Sequence, residues 1–107
     1  MGYDVHITRA ELWNENDESR IEEDEWLRLV EADPQLEPDS KNPGYTLWRG
    51  PSMYEDPWFR WTRGNISTKN PDRSIMKKML ELAQLLGARV QGDDGEFYDD
   101  ASALPED

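Results

Sequence analysis

Residues 70–90 read NPDRSIMKKMLELAQLLGARV, and this segment constrains the fold more than any other. Ile75, Met76, Met79, Leu80, Ala83 and Leu86 recur at helical spacing, and Leu82 and Leu85 widen the apolar face. Asn70 has the chemistry of an N-cap, Pro71 suits the first helical position, and Asp72 suits the positive end of a helix dipole. Gly87 is placed to close the helix in left-handed backbone. So wide an apolar face needs cover, so this helix is expected to pack centrally.

The flanking segments read as strands. In YDVHITRA, Tyr3, Val5 and Ile7 alternate with Asp4, His6 and Thr8, the period-two pattern of a half-buried strand. A polar, acidic loop, ELWNENDES, follows. SRIEEDEWLRLVEADP predicts a first helix, with Ser19 and Glu22 at capping-box spacing, a narrow stripe of Trp26, Leu27 and Val30 with Leu29 at its margin, and Asp33-Pro34 as the stop. QLEPDSKNPG reads as a loop, YTLWRG as a short strand, and PSMYEDP as another loop. WFRWTRGNISTK reads as a hairpin turning at Gly64-Asn65. RVQGDDGEFY reads as a second hairpin turning at Asp94-Gly95, with one of Phe97 and Tyr98 inward and the other outward. Together these elements predict an α+β fold: a mostly antiparallel sheet of about five short strands with two helices packed on one face. Residues 1–100 are expected to form a single domain, and 101–107 a frayed tail.

Charge is unevenly spread along the 107 residues. Residues 1–40 hold 13 acids and 3 bases, a balance of −10; residues 41–90 hold 4 acids and 9 bases, a balance of +5; residues 91–107 hold 7 acids and no base. The net charge of −12 repels nucleic acid and anionic lipid and draws in basic partners. Hydrophobic residues make up only 36%, but five Trp, four Tyr and two Phe supply large buried areas. With no cysteine, disulfides and thiolate metal sites are excluded, in keeping with a cytoplasmic setting. The N-terminus has no signal-peptide core, no run is long enough to span a bilayer, and His6 breaks the myristoylation pattern.

Chemistry-bearing residues are sparse. His6 is the sole histidine, and it reads as an ordinary strand residue facing solvent or the second side of the sheet. Asp93, Asp94, Glu96, Asp99 and Asp100 gather carboxylates, but Asp93-Asp94-Gly95 lacks the alternate acids and the downstream Glu of a calcium loop. Arg60 and Arg63 beside Trp58 and Trp61 have the composition of a single-strand nucleic-acid surface. The overall charge opposes that use, and the arginines are expected to pair with the acidic helix or to stack on Trp. The serines sit in caps, turns or a polar strand, with no nucleophile elbow or Gly-rich phosphate loop.

Four stretches, YDVHITR, EEDEWL, WFRWTRGNISTKNPD and MLELAQLLGARVQGDDGEFY, resemble a group of small, poorly characterised bacterial proteins with YDVHITR, GNI..KNPD and LGA.VQGDDGE.Y motifs. The resemblance spans most of the chain, residues 34–57 least, and Glu22 departs from it where a capping Ser or Thr is expected. It carries over no catalytic residue. It implies a place among small acidic proteins that accompany polymorphic toxins as immunity proteins.

These readings converge on a non-enzymatic binding protein with no cofactor or metal, possessing two acidic surfaces for a protein with a basic surface, such as a toxin. The first surface is Glu22, Glu23, Asp24 and Glu25; the second is Asp93, Asp94, Glu96, Asp99 and Asp100. The alternative is a small hydrolase or ligand-binding enzyme with His6, a carboxylate and Trp in one cleft.

Overall fold

The computed structural model describes residues 3–100; the expected tail at 101–107 lies outside the described residues. Nine elements follow in order: β1 (Asp4–Thr8), α1 (Glu23–Ala32), β2 (Leu36–Pro38), β3 (Tyr45–Trp48), β4 (Trp58–Thr62), β5 (Asn65–Lys69), α2 (Arg73–Leu85), β6 (Arg89–Gly92) and β7 (Phe97–Tyr98). The fold is α+β, but the sheet has seven strands rather than about five, in the order β2-β3-β4-β5-β1-β6-β7. Each pairing is antiparallel. The extra strand, β2, comes from the segment read as a loop. Its three residues pair Leu36 with Trp48, and Pro38 ends it at the sheet edge, where a missing N–H is tolerated.

Register sorts the side chains into two faces. Val5 and Ile7 align with Thr68 and Ile66 on β5, and Ile7 with Val90 on β6; Ile66 aligns with Trp61, and Phe59 with Thr46. On this face Val5, Ile7, Phe59, Ile66 and Val90 are buried with Trp26 and Val30 of α1 and with Ile75, Met76, Met79, Leu82 and Ala83 of α2. The alternation of β1 thus selects the helix-covered face, as its sequence pattern predicts. Leu85 departs from expectation: it lies 68% exposed, since the core-facing stripe of α2 runs through Leu82 and Leu86.

Three termini differ in detail from the sequence reading. Asp72, not Asn70, caps α2: its Oδ1 accepts the Ile75 N–H at 2.8 Å. Asn70 instead takes left-handed backbone (φ 48°) and exchanges hydrogen bonds with Tyr3. Helix α1 starts at Glu23 with Glu22 as N-cap, and the capping box joins Glu22 to Glu25 rather than Ser19 to Glu22. The β4–β5 hairpin turns at Arg63-Gly64 (φ 49° and 84°), one residue earlier than expected, with the consecutive positive φ of a type I′ turn.

The last hairpin has a three-residue loop, Asp93–Gly95. The Gly92 carbonyl accepts from Gly95 N–H, the Gly92 N–H donates to Glu96, and the left-handed residue is Gly95 (φ 89°). A two-residue Asp94-Gly95 turn would need positive φ at both; here Asp94 does not carry it. Tyr98 packs on the core and Phe97 lies on the second face, under the Arg89 guanidinium at 3.6 Å.

Candidate functional site

The second face of the sheet is not open. Residues 9–22 leave β1, fold back across β1 and β6, and cross to α1. Their anchor is Gln91, which is fully buried. Its amide donates to the carbonyls of Glu11 (2.9 Å) and Gly95 (3.0 Å), and its oxygen accepts the Trp13 N–H (2.7 Å). Asn65 donates to the Trp13 carbonyl (2.7 Å), and buried Asn16 donates to the Arg63 carbonyl (2.8 Å) and to Asn65 (3.1 Å). Ile21 N–H then reaches Gly64 at 2.9 Å. A loop with little apolar cover is thus fixed by satisfied amides, each of which is costly to break.

His6 sits beneath this loop. Its ring is stacked on Trp13 with centroids 3.9 Å apart and planes 6° from parallel, and its Nε2 lies 2.9 Å from Asp93 Oδ1. Asp93 also accepts the Asp4 N–H at 2.9 Å, and the Trp13 indole donates to the Asp93 carbonyl at 3.3 Å. His6 therefore faces the second side, as expected, but it is buried (6% exposed) rather than open. A histidine, a carboxylate and a Trp do meet. They meet as a closed latch between the loop and the last hairpin, and His6 lines none of the surface cavities described here.

The nine carboxylates expected to bind a partner divide by role. Glu25 is gripped by the Arg9 guanidinium through two bonds of 3.1 and 2.6 Å, and that fork, with the Glu22 N–H, holds its carboxyl below the usual range. Asp24 pairs with Arg28 at the surface (3.0 Å). Asp93 is the latch. Glu96 accepts from the hydroxyls of Tyr3 and Tyr98. Burial pushes the Glu96 carboxyl up, but those bonds outweigh it and hold it low; burial and Glu96 together push the Tyr3 phenol up. A Cβ at Gly92 would come within 2.5 Å of both Glu96 and Tyr3, so glycine admits this contact. Asp99 lies 3.7 Å from Arg89. Glu22, Glu23, Asp24, Asp94, Glu96, Asp99 and Asp100 are exposed, and Glu25 and Asp93 are half-buried.

The two acidic groups are not brought together directly. Arg9 and Glu25 mark the end of β1 while Asp93 binds its start, about 17 Å away for a five-residue strand. Between them runs the loop, with Glu11, Glu15, Asp17 and Glu18 all exposed. Its Glu11–Trp13 end is bonded to the last hairpin and its Asn16–Ile21 end to the β4–β5 turn beside α1. One acidic strip therefore passes from Asp94 through the loop to Glu22–Asp24. ELWNENDES is acidic in sequence, but nothing in its pattern singles out these four residues. The one signal in that stretch is Trp13, an isolated aromatic in a polar loop, which here is an anchor. No group of three or more His, Cys, Asp or Glu among the described residues is arranged to hold a metal ion.

Two other features are internally satisfied. A cavity of about 940 Å³ over β2–β4 has a floor of Tyr45, Leu47 and Trp58, but Arg49 already bridges Glu37 and Asp56, and the Asp39 carboxylate is taken up by Lys41 N–H and Asn42. Arg60 lies over Tyr45 (5.4 Å), not over Trp or the acidic helix as expected, and Trp61 points into the core side, donating to the Ile21 carbonyl (2.9 Å). The basic-aromatic run is thus split between the two faces. No described helix is long and apolar enough to cross a membrane. No family model, curated protein or solved structure matches the chain.

Proposed function

We propose that the chain is a non-enzymatic binding protein that engages a protein with a basic surface, in the manner of an immunity protein covering the basic site of a toxin in the cytoplasm. The observation that carries this reading is the pinned loop. Four exposed carboxylates, Glu11, Glu15, Asp17 and Glu18, stand on a loop fixed through Gln91, Asn65 and Asn16, and exposed Glu22, Glu23 and Asp24 continue them at the start of α1. Preorganised acids lose less freedom on binding, and a strip in which carboxylates outnumber the neighbouring Arg20 and Arg63 speeds encounter with an oppositely charged surface.

The test is capture of a partner from the source cell at low and high salt, with wild type and with Glu11, Glu15, Glu18, Glu22 and Glu23 changed to Gln. The expected partner is basic, is released by salt and is not retained by the variant. A partner held equally by the variant would remove the reading.

A further inference from the structure

Residues 9–22 cover only half of the second face of the sheet. Among the described residues their bonds reach β6, β5, the β4–β5 turn and, through Ile21, Trp61 of β4; none goes to β2 or β3. Over β2–β4 the same face opens into the cavity of about 940 Å³, a size ordinary for a small-molecule site. Register builds its floor. Leu47 aligns with Trp58, and buried Thr46 with buried Phe59, so Tyr45, Leu47 and Trp58 face away from the core. The Tyr45 and Trp58 rings meet at 70° with centroids 5.1 Å apart, and they present a floor and a wall rather than one flat stack.

The ionic groups around this floor are close to balance. Glu37, Asp39 and Asp56 stand against Lys41 and Arg49, and Arg60 lies over the Tyr45 ring at 5.4 Å, just outside the lining. Arg49 bridges Glu37 and Asp56, and the Asp39 carboxylate accepts from Lys41 N–H and Asn42 Nδ2, each at 2.9 Å. Hydrogen-bonding capacity is left over. Among the described residues the Tyr45 hydroxyl, the Trp58 indole N–H, the Lys41 ammonium and the Asn42 Oδ1 have no hydrogen-bond partner. A cation or an anion would meet a repulsive group here as readily as an attractive one, and a wholly apolar ligand would desolvate the rim without bonding it. An uncharged ring with apolar faces and hydroxyl edges meets both the aromatic floor and the polar rim.

We infer that this cavity binds a neutral saccharide, a pyranose ring lying on the aromatic floor and its hydroxyls bonded to Lys41, Asn42, Arg49 and the Tyr45 hydroxyl. This is a binding function separate from the acidic strip. The cavity lies on the other half of the face, shares no residue with the strip, and does not depend on a basic partner.

The test titrates the isotopically labelled full chain with maltohexaose, cellohexaose and chitohexaose and follows amide NMR shifts. Adenosine, planar and neutral, and spermine, cationic, are titrated in parallel. At least one of the sugars is expected to shift Lys41, Asn42, Tyr45, Leu47 and Trp58, and the five-Gln strip variant is expected to bind it as the wild type does. Trp58→Phe removes the indole N–H and part of the ring area, and should weaken binding by about threefold to tenfold, the worth of one hydrogen bond. Asn42→Ala, at an exposed loop position, should weaken it by about threefold and reads the same site if Trp58→Phe does not fold. No shift of these residues by any of the three sugars up to about 10 mM, or undiminished affinity in a folded variant, would overturn the assignment. Cavity shifts caused by adenosine or spermine and by no sugar would overturn it too, giving the site to a stacked base or to a cation. Either result leaves the strip to its own test, since the two surfaces have no residue in common.

Discussion

The carboxylate of Asp72 accepts from Ile75 N–H (2.8 Å), Ser52 Oγ (2.5 Å) and Met53 N–H (2.9 Å) while 6% exposed. It caps α2 and fastens the 50–57 loop with the same group. Asp72→Ala should cost about 2–3 kcal/mol, a cap loss plus a buried donor left unpaired, read from urea midpoints. A loss under about 0.5 kcal/mol, as for a surface change, would contradict this. Arg63 presents the opposite case. Its φ of 49° places a side chain where Asn or Gly is favoured, so Arg63→Asn should stabilise the hairpin by about 0.5–1 kcal/mol. A lowered melting temperature would show that the Arg63 side chain contributes something that its backbone angle conceals. Both residues show where sequence reading slips by one or two positions: Asn70, Pro71 and Asp72 all have N-terminal chemistry, and only the tie to Ser52 and Met53 selects among them.

At the scale of elements, period-two alternation in β1 and helical spacing in α2 were legible because each pattern is set by a face buried against many neighbours. Strand β2 was not legible. Its three residues, LEP, are too few to show a period, and Leu36 alone is buried, against a partner twelve residues on. The covering loop was not legible either, because its stability lies in long-range amide contacts that leave no pattern in ELWNENDES. Gln91→Leu tests that loop. It keeps the side-chain bulk but strands the Trp13 N–H and the carbonyls of Glu11 and Gly95. A loss of about 2–4 kcal/mol and faster amide exchange over residues 11–18 are expected. Exchange left unchanged there would mean that the loop is held by something other than Gln91.

Across the whole molecule, acidity is partly spent on stability. Burial pushes Asp33 up, but the Lys78 ammonium at 2.6 Å and the Gln35 N–H outweigh it and hold it low; Glu25 and Glu96 are also held low, by Arg9 and by tyrosine hydroxyls. A carboxyl depressed in the fold stabilises it above the unfolded pKa, near 4, and that contribution is lost as pH falls through the lower folded value. Thermal midpoints should therefore drop steeply below about pH 4. Asp33→Asn should be less stable at neutral pH, with a shallower fall in acid, whereas parallel curves would exclude Asp33 from the dependence. Of the nine acids named from sequence, Glu25 and Glu96 belong to this set, Asp93 is tied to His6 and the Asp4 N–H, and the loop's Glu11, Glu15, Asp17 and Glu18 extend the outer display. Composition revealed the amount of charge; its division between latch and display depended on where Arg9, His6 and Tyr3 fell in space. The most direct measurement of the central claim is the salt dependence of partner affinity, for wild type and for the five-Gln strip variant. The account predicts affinity falling steeply with ionic strength in the wild type, and a weaker, flatter response in the variant. Equal affinity and equal slope in both would contradict it.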